Sequence, residues 1–431
     1  MSLRLWSPNE AAAFLRACNS LQLHDVKHRL LNWAAEFPYI CFLDNCESEI
    51  DQYGEWELLL GIGNEDAPRA TSAQEMEQLQ SGSWWMGGLS YDLKNHYEPI
   101  LETQSEASIE FPGCALFSPT GLIGLRRDGT WMILGELPGL ISAMGVVPPS
   151  FTLGSSPEFN SNFTRDQYIE TVQKLREHIE AGDFYEMNLA QVFEATYRLE
   201  HPQEVFRRLV EVSPVPFAAF FRYGEKYALS ASPERFLQSK DQQLLTQPIK
   251  GTAPRAASPA ADKESAEALQ ASVKERAENV MIVDLSRNDL YRSCLPHSVE
   301  VPHLFAIQSF PQVHQMVSTI TGKLRPNLSW QQVIAHTFPP GSMTGAPKVR
   351  VMEMIDRYEG CARSLYAGSI GYLSPEEEFD FNVVIRTLLY DNTTHKLSYH
   401  VGGAITYNSD PEAEYEETLL KAEAIRRALA V

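Results

Sequence analysis

Hydrophobic and polar positions along the chain alternate between two periods. Tyr168, Val172, Leu175 and Ile179 recur every three or four residues, which predicts a helix with one apolar face. Thr164 followed three residues later by Gln167 fits a capping box at its start, and Gly182 suits its end. Residues 39–43 and 56–60 near the N-terminus, and 216–221, 226–230 and 379–385 further on, are short apolar runs that predict strands. Strands and helices are interspersed without a regular βαβ spacing of ~30 residues. The pattern therefore predicts an α+β fold with mainly antiparallel sheets.

Six of the seven tryptophans (Trp6, Trp33, Trp56, Trp84, Trp85, Trp131) precede residue 132. Residues 145–162 are rich in Pro, Gly, Ser and Asn and predict a connection. An N-terminal region at 1–150 and a larger region at 160–431 are expected. The last helix is the best marked. Asp410 suits an N-cap and Pro411 the first helical position. Glu414, Glu417 and Lys421 then fall within an arc of roughly 60° on one face. A second acidic helix is expected through Glu264, Glu267, Glu275 and Glu278, giving way at Asn279 to a buried apolar run, Val280-Met281-Ile282-Val283.

The chain has 431 residues, 44% of them hydrophobic, a net charge of −20 and a pI near 5.0. Such a balance argues against non-specific binding to nucleic acid or to an anionic membrane. An anionic substrate would have to be held by a few placed cations. No apolar run of about 18 residues predicts a membrane span, and no long apolar signal segment opens the chain. The six cysteines include no CxxC pair, so a reduced, cytoplasmic setting is expected.

Candidate chemistry begins with Lys250, in the run PIKGTAPR. Next to an apolar residue and a Gly-Thr step, it is expected to lie where its charge is disfavoured. A desolvated lysine of that kind can attack carbon; a surface lysine on a turn has the same local sequence. Glu234 in SPERF stands at the end of a strand-like run, where a carboxylate serves as general acid or pairs with a neighbour such as Arg235. Glu278 and the Glu414/Glu417 helix together supply oxygen ligands of the kind Mg²⁺ prefers, or else form solvated, ion-paired faces. Zinc spacing is absent. Residues 339–348, PPGSMTGAPK, look like an anion cradle entering a helix but are not a Walker loop, since three residues separate Gly341 from Gly345, and ordinary turn chemistry is the default for such a segment. Arg386 closes an apolar strand with a cation suited to a carboxylate, and Gly402-Gly403 let backbone approach a ligand closely.

From about Thr164 onward the ordered motifs GDFYEMNLAQ, SPERF, PIKGTAPR, RAENVMIVDLSRNDL, FPPGSMTGAPKVR, YAGSIGY, IRT and DPEAEYEETLLKA resemble the chorismate-utilising enzymes. The resemblance implies large antiparallel sheets sandwiching helices, and Mg²⁺ held by Glu278 and Glu417, with Glu414 acting directly or through water. It also implies a substrate pocket of Gly251, Thr252, Tyr366, Arg386, Gly402 and Lys421. Lys250 in PIKGT is similar to the aminodeoxychorismate synthase component I branch, which serves para-aminobenzoate and folate synthesis; anthranilate synthases carry Ala there. Lys250 would attack C2 of chorismate and Glu234 would aid proton transfer as the C4 hydroxyl leaves. Ammonia from a separate glutamine amidotransferase chain would then add at C4.

Anthranilate synthase component I, with amination at C2, is the alternative within the family, and a non-catalytic chorismate-binding subunit lies outside it. Isochorismate and salicylate synthases use a water-activating lysine where this chain has Glu186, which argues against those activities. Phe42-Leu43-Asp44-Asn45 resembles the para-aminobenzoate branch, so strong tryptophan inhibition is not expected. Two positions depart from the family pattern. Gln315 stands at the usual His position, with His314 one step earlier on the opposite strand face, and Ala404 replaces a glycine.

Overall fold

The computed structural model describes residues 3–103, 105–148 and 154–430; of the expected connection, residues 149–153 lie outside the described residues. The alternating runs form two sheets whose strands pair antiparallel. The α+β expectation is met. The eleven-stranded sheet includes Glu186–Thr196, Lys396–Ile405, Thr387–Asp391, Lys226–Ser232, Phe217–Tyr223, Tyr39–Asp44 and Trp56–Gly63, adjacent in that order. The ten-stranded sheet includes Ile249–Pro254, Val313–Lys323, Gln243–Thr246, Arg235–Lys240, Phe379–Asn382, Ser369–Leu373 and Trp85–Leu89. Strands from before residue 150 and after residue 160 are neighbours in both sheets.

Three apolar clusters hold the layers. In one, Cys41, Leu59, Ala219, Phe221 and Leu389 of the larger sheet meet Met86, Ala115, Phe117 and Ile370 of the smaller. In a second, helices lie against strands of both sheets: Tyr168, Val172, Val283, Ile334 and Val351 join Met187, Leu189, Phe236, Leu237 and Phe381. The third packs helices Leu23–Ala34, Pro202–Val212 and Glu423–Ala428 on the larger sheet. Burying a side chain of this size contributes about 1.5–3 kcal/mol, so alternation along the strands specifies which face turns inward.

The helix Arg165–Glu180 starts as its capping box predicts: Gln167 N donates to Thr164 Oγ1 (3.2 Å) and Thr164 N to Gln167 Oε1 (2.9 Å). The final acidic helix runs Pro411–Lys421, capped by Asp410. The expected second acidic helix is instead two, Pro259–Ala271 and Val273–Tyr291, broken where Ser272 caps the latter. Asn279 does not end it. The apolar run 280–283 stays helical, with Ile282 and Val283 buried and Val280 exposed, because a helix cannot turn four consecutive side chains to one face. No helix among the described residues is long and apolar enough to cross a membrane, and all six cysteines are free thiols.

Arg235 ties the layers at one buried point. Its guanidinium donates to both oxygens of Asp51 and both of Asp380 (all 2.9 Å) and to Gln247 Oε1 (2.5 Å). Arg235→Ala would strand the buried carboxylate of Asp51 and the half-buried one of Asp380, and a loss of about 3–5 kcal/mol is expected. Chemical denaturation of wild type and variant measures it; a change below about 1 kcal/mol would show that water reaches the acids and replaces the arginine.

Candidate active site

Two of the passages by which the chain changes sheet lie side by side. Lys226–Ser232 lies in the larger sheet and Arg235–Lys240 in the smaller; Phe379–Asn382 and Thr387–Asp391 make the reverse passage. Val383 N donates to Glu234 O (3.0 Å) and Ala231 N to Arg386 O (3.1 Å), so the crossings are bonded to each other. Glu234 and Arg386 therefore share one seam. Arg386 does not close a continuous strand as expected. The strand ends at Asn382, and Arg386 occupies a bend with φ +50°, the left-handed region where non-glycine residues are uncommon. Among the described residues Arg386 makes no ion pair; burial lowers its pKa and Glu234 works against that.

Glu234 is buried and does not pair with Arg235, which points to Asp51 and Asp380. Ser342 Oγ donates to its Oε1 at 2.5 Å. Burial raises its pKa to about 7, while the Ser342 bond and the charge of Lys250 hold it back. Ser342 comes from the PPGSMTGAPK segment, which is not the anion cradle expected. Residues Gly341–Met343 form one tight 3₁₀ turn, and Gly345–Ala346 pair with Glu186–Met187. Lys348 is occupied by Asp289 (2.9 Å) and Thr337 O (2.7 Å).

Lys250 is buried on the strand Ile249–Pro254 with its Nζ 2.6 Å from Glu186 Oε1. Here the expectation of a disfavoured charge is corrected. Burial does oppose the ammonium, but Glu186, Glu278 and Glu234 more than offset it, and the pKa moves up. Glu186 lies on the strand Glu186–Thr196, only 1% exposed. In the sequence Glu186 argues only against isochorismate and salicylate synthase activity. An acid inside a run that also contains Met187 and Leu189 was the available signal.

The acidic helices converge beside this pair. Lys274 Nζ stands 3.9 Å from Glu278 Oε1 and 3.8 Å from Glu414 Oε1. Burial raises Glu278 to about 7 and pushes Glu414 up as well, whereas Lys421, 2.7 Å away, draws Glu417 down. Glu414 Oε2, Lys421 Nζ and Glu417 Oε1 all lie within 4.0 Å of where a Cβ on Gly403 would stand. Among the described residues no group of three or more acidic, histidine or cysteine side chains is placed so as to hold a metal ion. The donor set is nevertheless all oxygen, Glu278 Oε1 is buried without a hydrogen-bond partner, and a cation already stands between two of the carboxylates. These residues fit a hard divalent ion.

Gly251 and Gly402 stand against residues of the same region. Gly251 has φ +88°, and a Cβ there would meet Glu275 Oε2 at 2.8 Å, so only glycine fits. Thr252 is exposed, paired in register with buried Gln315. A Cβ on Gly402 would meet Leu189 O at 2.5 Å, and its carbonyl accepts from Lys421 Nζ (2.8 Å). Tyr366 is buried and stacks at 4.8 Å on His400, whose pKa burial and Arg363 push down to about 3. His314 turns to the other side and bonds Asp262 (3.0 Å) and Ser309 (2.8 Å). Glu186 Oε2, Asn188 Oδ1, Glu278 Oε1, Asn279 Nδ2 and Gln315 Oε1 are all buried without partners. Such a concentration of unsatisfied polar atoms marks a site made for a polar ligand.

A family model described as chorismate binding enzyme matches residues 38–427. The chain is 45% identical over 373 residues to aminodeoxychorismate synthase component 1 of Escherichia coli (strain K12), covering 85% of this chain and 78% of that one. Anthranilate synthase component I of Streptococcus pneumoniae TIGR4 is similar with a TM-score of 0.71 at 27% identity, covering 81% of each chain. The menaquinone-specific isochorismate synthase of Escherichia coli has a TM-score of 0.74 at 18% identity, covering 93% and 91%, a likeness of fold alone.

The raised pKa of Glu234 has a consequence for stability. Between its unfolded value near ~4.3 and about 7 the folded chain holds a proton that the unfolded chain releases. Its contribution is full below the unfolded pKa and is lost as pH rises through about 7. Glu234→Gln should remove up to about 1.4 kcal/mol per pH unit of that slope, read from denaturation at pH 5, 6, 7 and 8. An unchanged slope would place the raised carboxyl elsewhere.

Proposed function

The chain belongs to the chorismate-binding enzyme family, and on that premise we propose that it aminates chorismate at C4 to 4-amino-4-deoxychorismate, with ammonia from a separate glutamine amidotransferase subunit. The observation that carries this reading is Lys250, buried in one site with Glu234 and Glu278. Once it has given up its proton, an amine so placed is a nucleophile for carbon, and a carboxylic acid near neutrality beside it can protonate a departing hydroxyl. The relationship to aminodeoxychorismate synthase component 1 supports the same reading.

Chorismate brings two carboxylates to a protein of net charge −20, so local cations must receive them. Arg386, without an ion-pair partner among the described residues, takes one, and Lys421 beside Gly402 helps to orient the substrate. Glu278, Glu414 and Glu417 would hold Mg²⁺, which neutralises charge and polarises the ring carboxylate when bound. Lys250 Nζ forms a bond to C2, the ring double bond shifts, and the C4–O bond breaks. Glu234 donates its proton to the leaving oxygen, which departs as water. Ammonia then adds at C4 and the bond from C2 to Lys250 breaks. Ser342 fixes the acid's carboxyl group throughout.

Chorismate, Mg²⁺ and ammonium incubated with the purified chain should yield 4-amino-4-deoxychorismate on chromatography. Glutamine should serve only when the partner subunit is added. Lys250→Ala should lower that product by at least ~10²; release of anthranilate and pyruvate by the unaltered chain would overturn the assignment of C4. For the metal, Glu278→Ala should raise the Mg²⁺ concentration needed for half-maximal rate by at least about tenfold. An unchanged Mg²⁺ titration would remove Glu278 from the ligand set.

A further inference from the structure

We propose that Glu186 is the base of this site: it takes a proton from the Lys250 ammonium to free the attacking amine, and returns it at the end of each turnover. The inference rests on the reading that Lys250 bonds to C2 of the substrate. An ammonium has no lone pair, so its proton must leave before it can attack. Among the described residues Glu186 is the one group within ion-pair distance of Lys250 Nζ, at 2.6 Å.

The other charged groups facing Lys250 have another role or make no ion pair with it. Glu234 bonds Ser342 and has to stay protonated to release the hydroxyl. Glu278 and Glu275, from the helix Val273–Tyr291, and Glu417, from Pro411–Lys421, face it as charges without an ion-pair contact. Glu278 and Glu417 belong to the proposed metal ligands. Arg386 stands beyond Glu234 and cannot accept a proton.

Glu186 is also held in place. Its strand is paired on one side with Gly345–Ala346, and on the other, from Met187 onward, with Lys396–Ile405. Its Oε2 is buried without a partner, so no second donor stabilises the carboxylate. Low-dielectric surroundings penalise two separate charges more than a neutral amine beside a neutral acid. Bound substrate, by burying the pair further, would shift the balance toward the proton on Oε1.

The protons balance over the cycle. Lys250 ammonium and Glu186 carboxylate become amine and acid. The amine forms the bond to C2 while the hydroxyl leaves with the proton of Glu234. Ammonia then forms the C4–N bond, the C2–N bond breaks, and Glu234 recovers a proton from the new ammonium. Lys250 departs as a neutral amine and Glu186 returns its proton.

The test follows the Lys250–substrate adduct directly by rapid quench and peptide mass spectrometry, with chorismate and Mg²⁺ and without ammonia. Glu186→Gln is expected to slow adduct formation at pH 7 by on the order of 10²–10⁴, with a rate that climbs as pH rises. In Glu186→Ala, added formate should restore part of the rate, which a purely structural role would not allow. Adduct formation in both variants at the wild-type rate, or faster, would overturn the proposal, since the carboxylate would then merely clamp the lysine. No adduct on Lys250 in the wild-type chain would overturn the underlying reading, and this proposal with it.

Discussion

The paired crossings between the sheets are the constraint on which the rest depends. At Glu234 and Arg235 the chain sends consecutive side chains in opposite directions. Arg235 goes inward to Asp51 and Asp380, and Glu234 faces Ser342 and Lys250. A buried ion cluster of this kind is a poor source of net stability, because desolvation consumes much of its attraction. Its role is geometric: it allows one path for the backbone, and that path sets the acid beside Arg386 on the return crossing. The left-handed bend at Arg386 is tolerated because its carbonyl is fixed by Ala231 N and Val383, three residues earlier, is bonded to Glu234 O.

Charge is distributed with the same economy. The chain as a whole repels anions, yet Lys250, Lys274, Arg386 and Lys421 converge on one region. Three of the four are ion-paired with carboxylates. Burial pushes Glu234 and Glu278 to about 7 while Lys421 draws Glu417 the other way, so acids of one residue type hold different protonation states near neutrality. Placing titratable groups in environments that drive their pKa values apart is how a single pocket obtains both an acid and a permanent anion.

Much of this was legible in the chain. Periodicity located the capped helices after Thr164 and Asp410, because caps and apolar stripes are local properties. The convergence of Glu278, Glu414, Glu417 and Lys421 followed from helix geometry and family resemblance. What escaped was long-range. Nothing near Lys250 in sequence reveals Glu186, 64 positions away, so the lysine's charge state was misjudged. Ser342 was read as part of a backbone cradle because its partner, Glu234, lies 108 residues earlier. The run through Arg386 was read as one strand, since a change of sheet leaves no mark on hydrophobic alternation.

Both sheets interleave early and late strands: Tyr39–Asp44 lies between Trp56–Gly63 and Phe217–Tyr223, and Trp85–Leu89 lies against Ser369–Leu373. During synthesis, the first hundred and fifty or so residues therefore emerge with strand edges whose partners do not yet exist. Loop closure across such separations is slow, and unpaired apolar edges invite association with other chains. Those edges stay open until Phe217–Tyr223 and Ser369–Leu373 have emerged, and separating the two halves would yield pieces that each lack neighbours for their own strands.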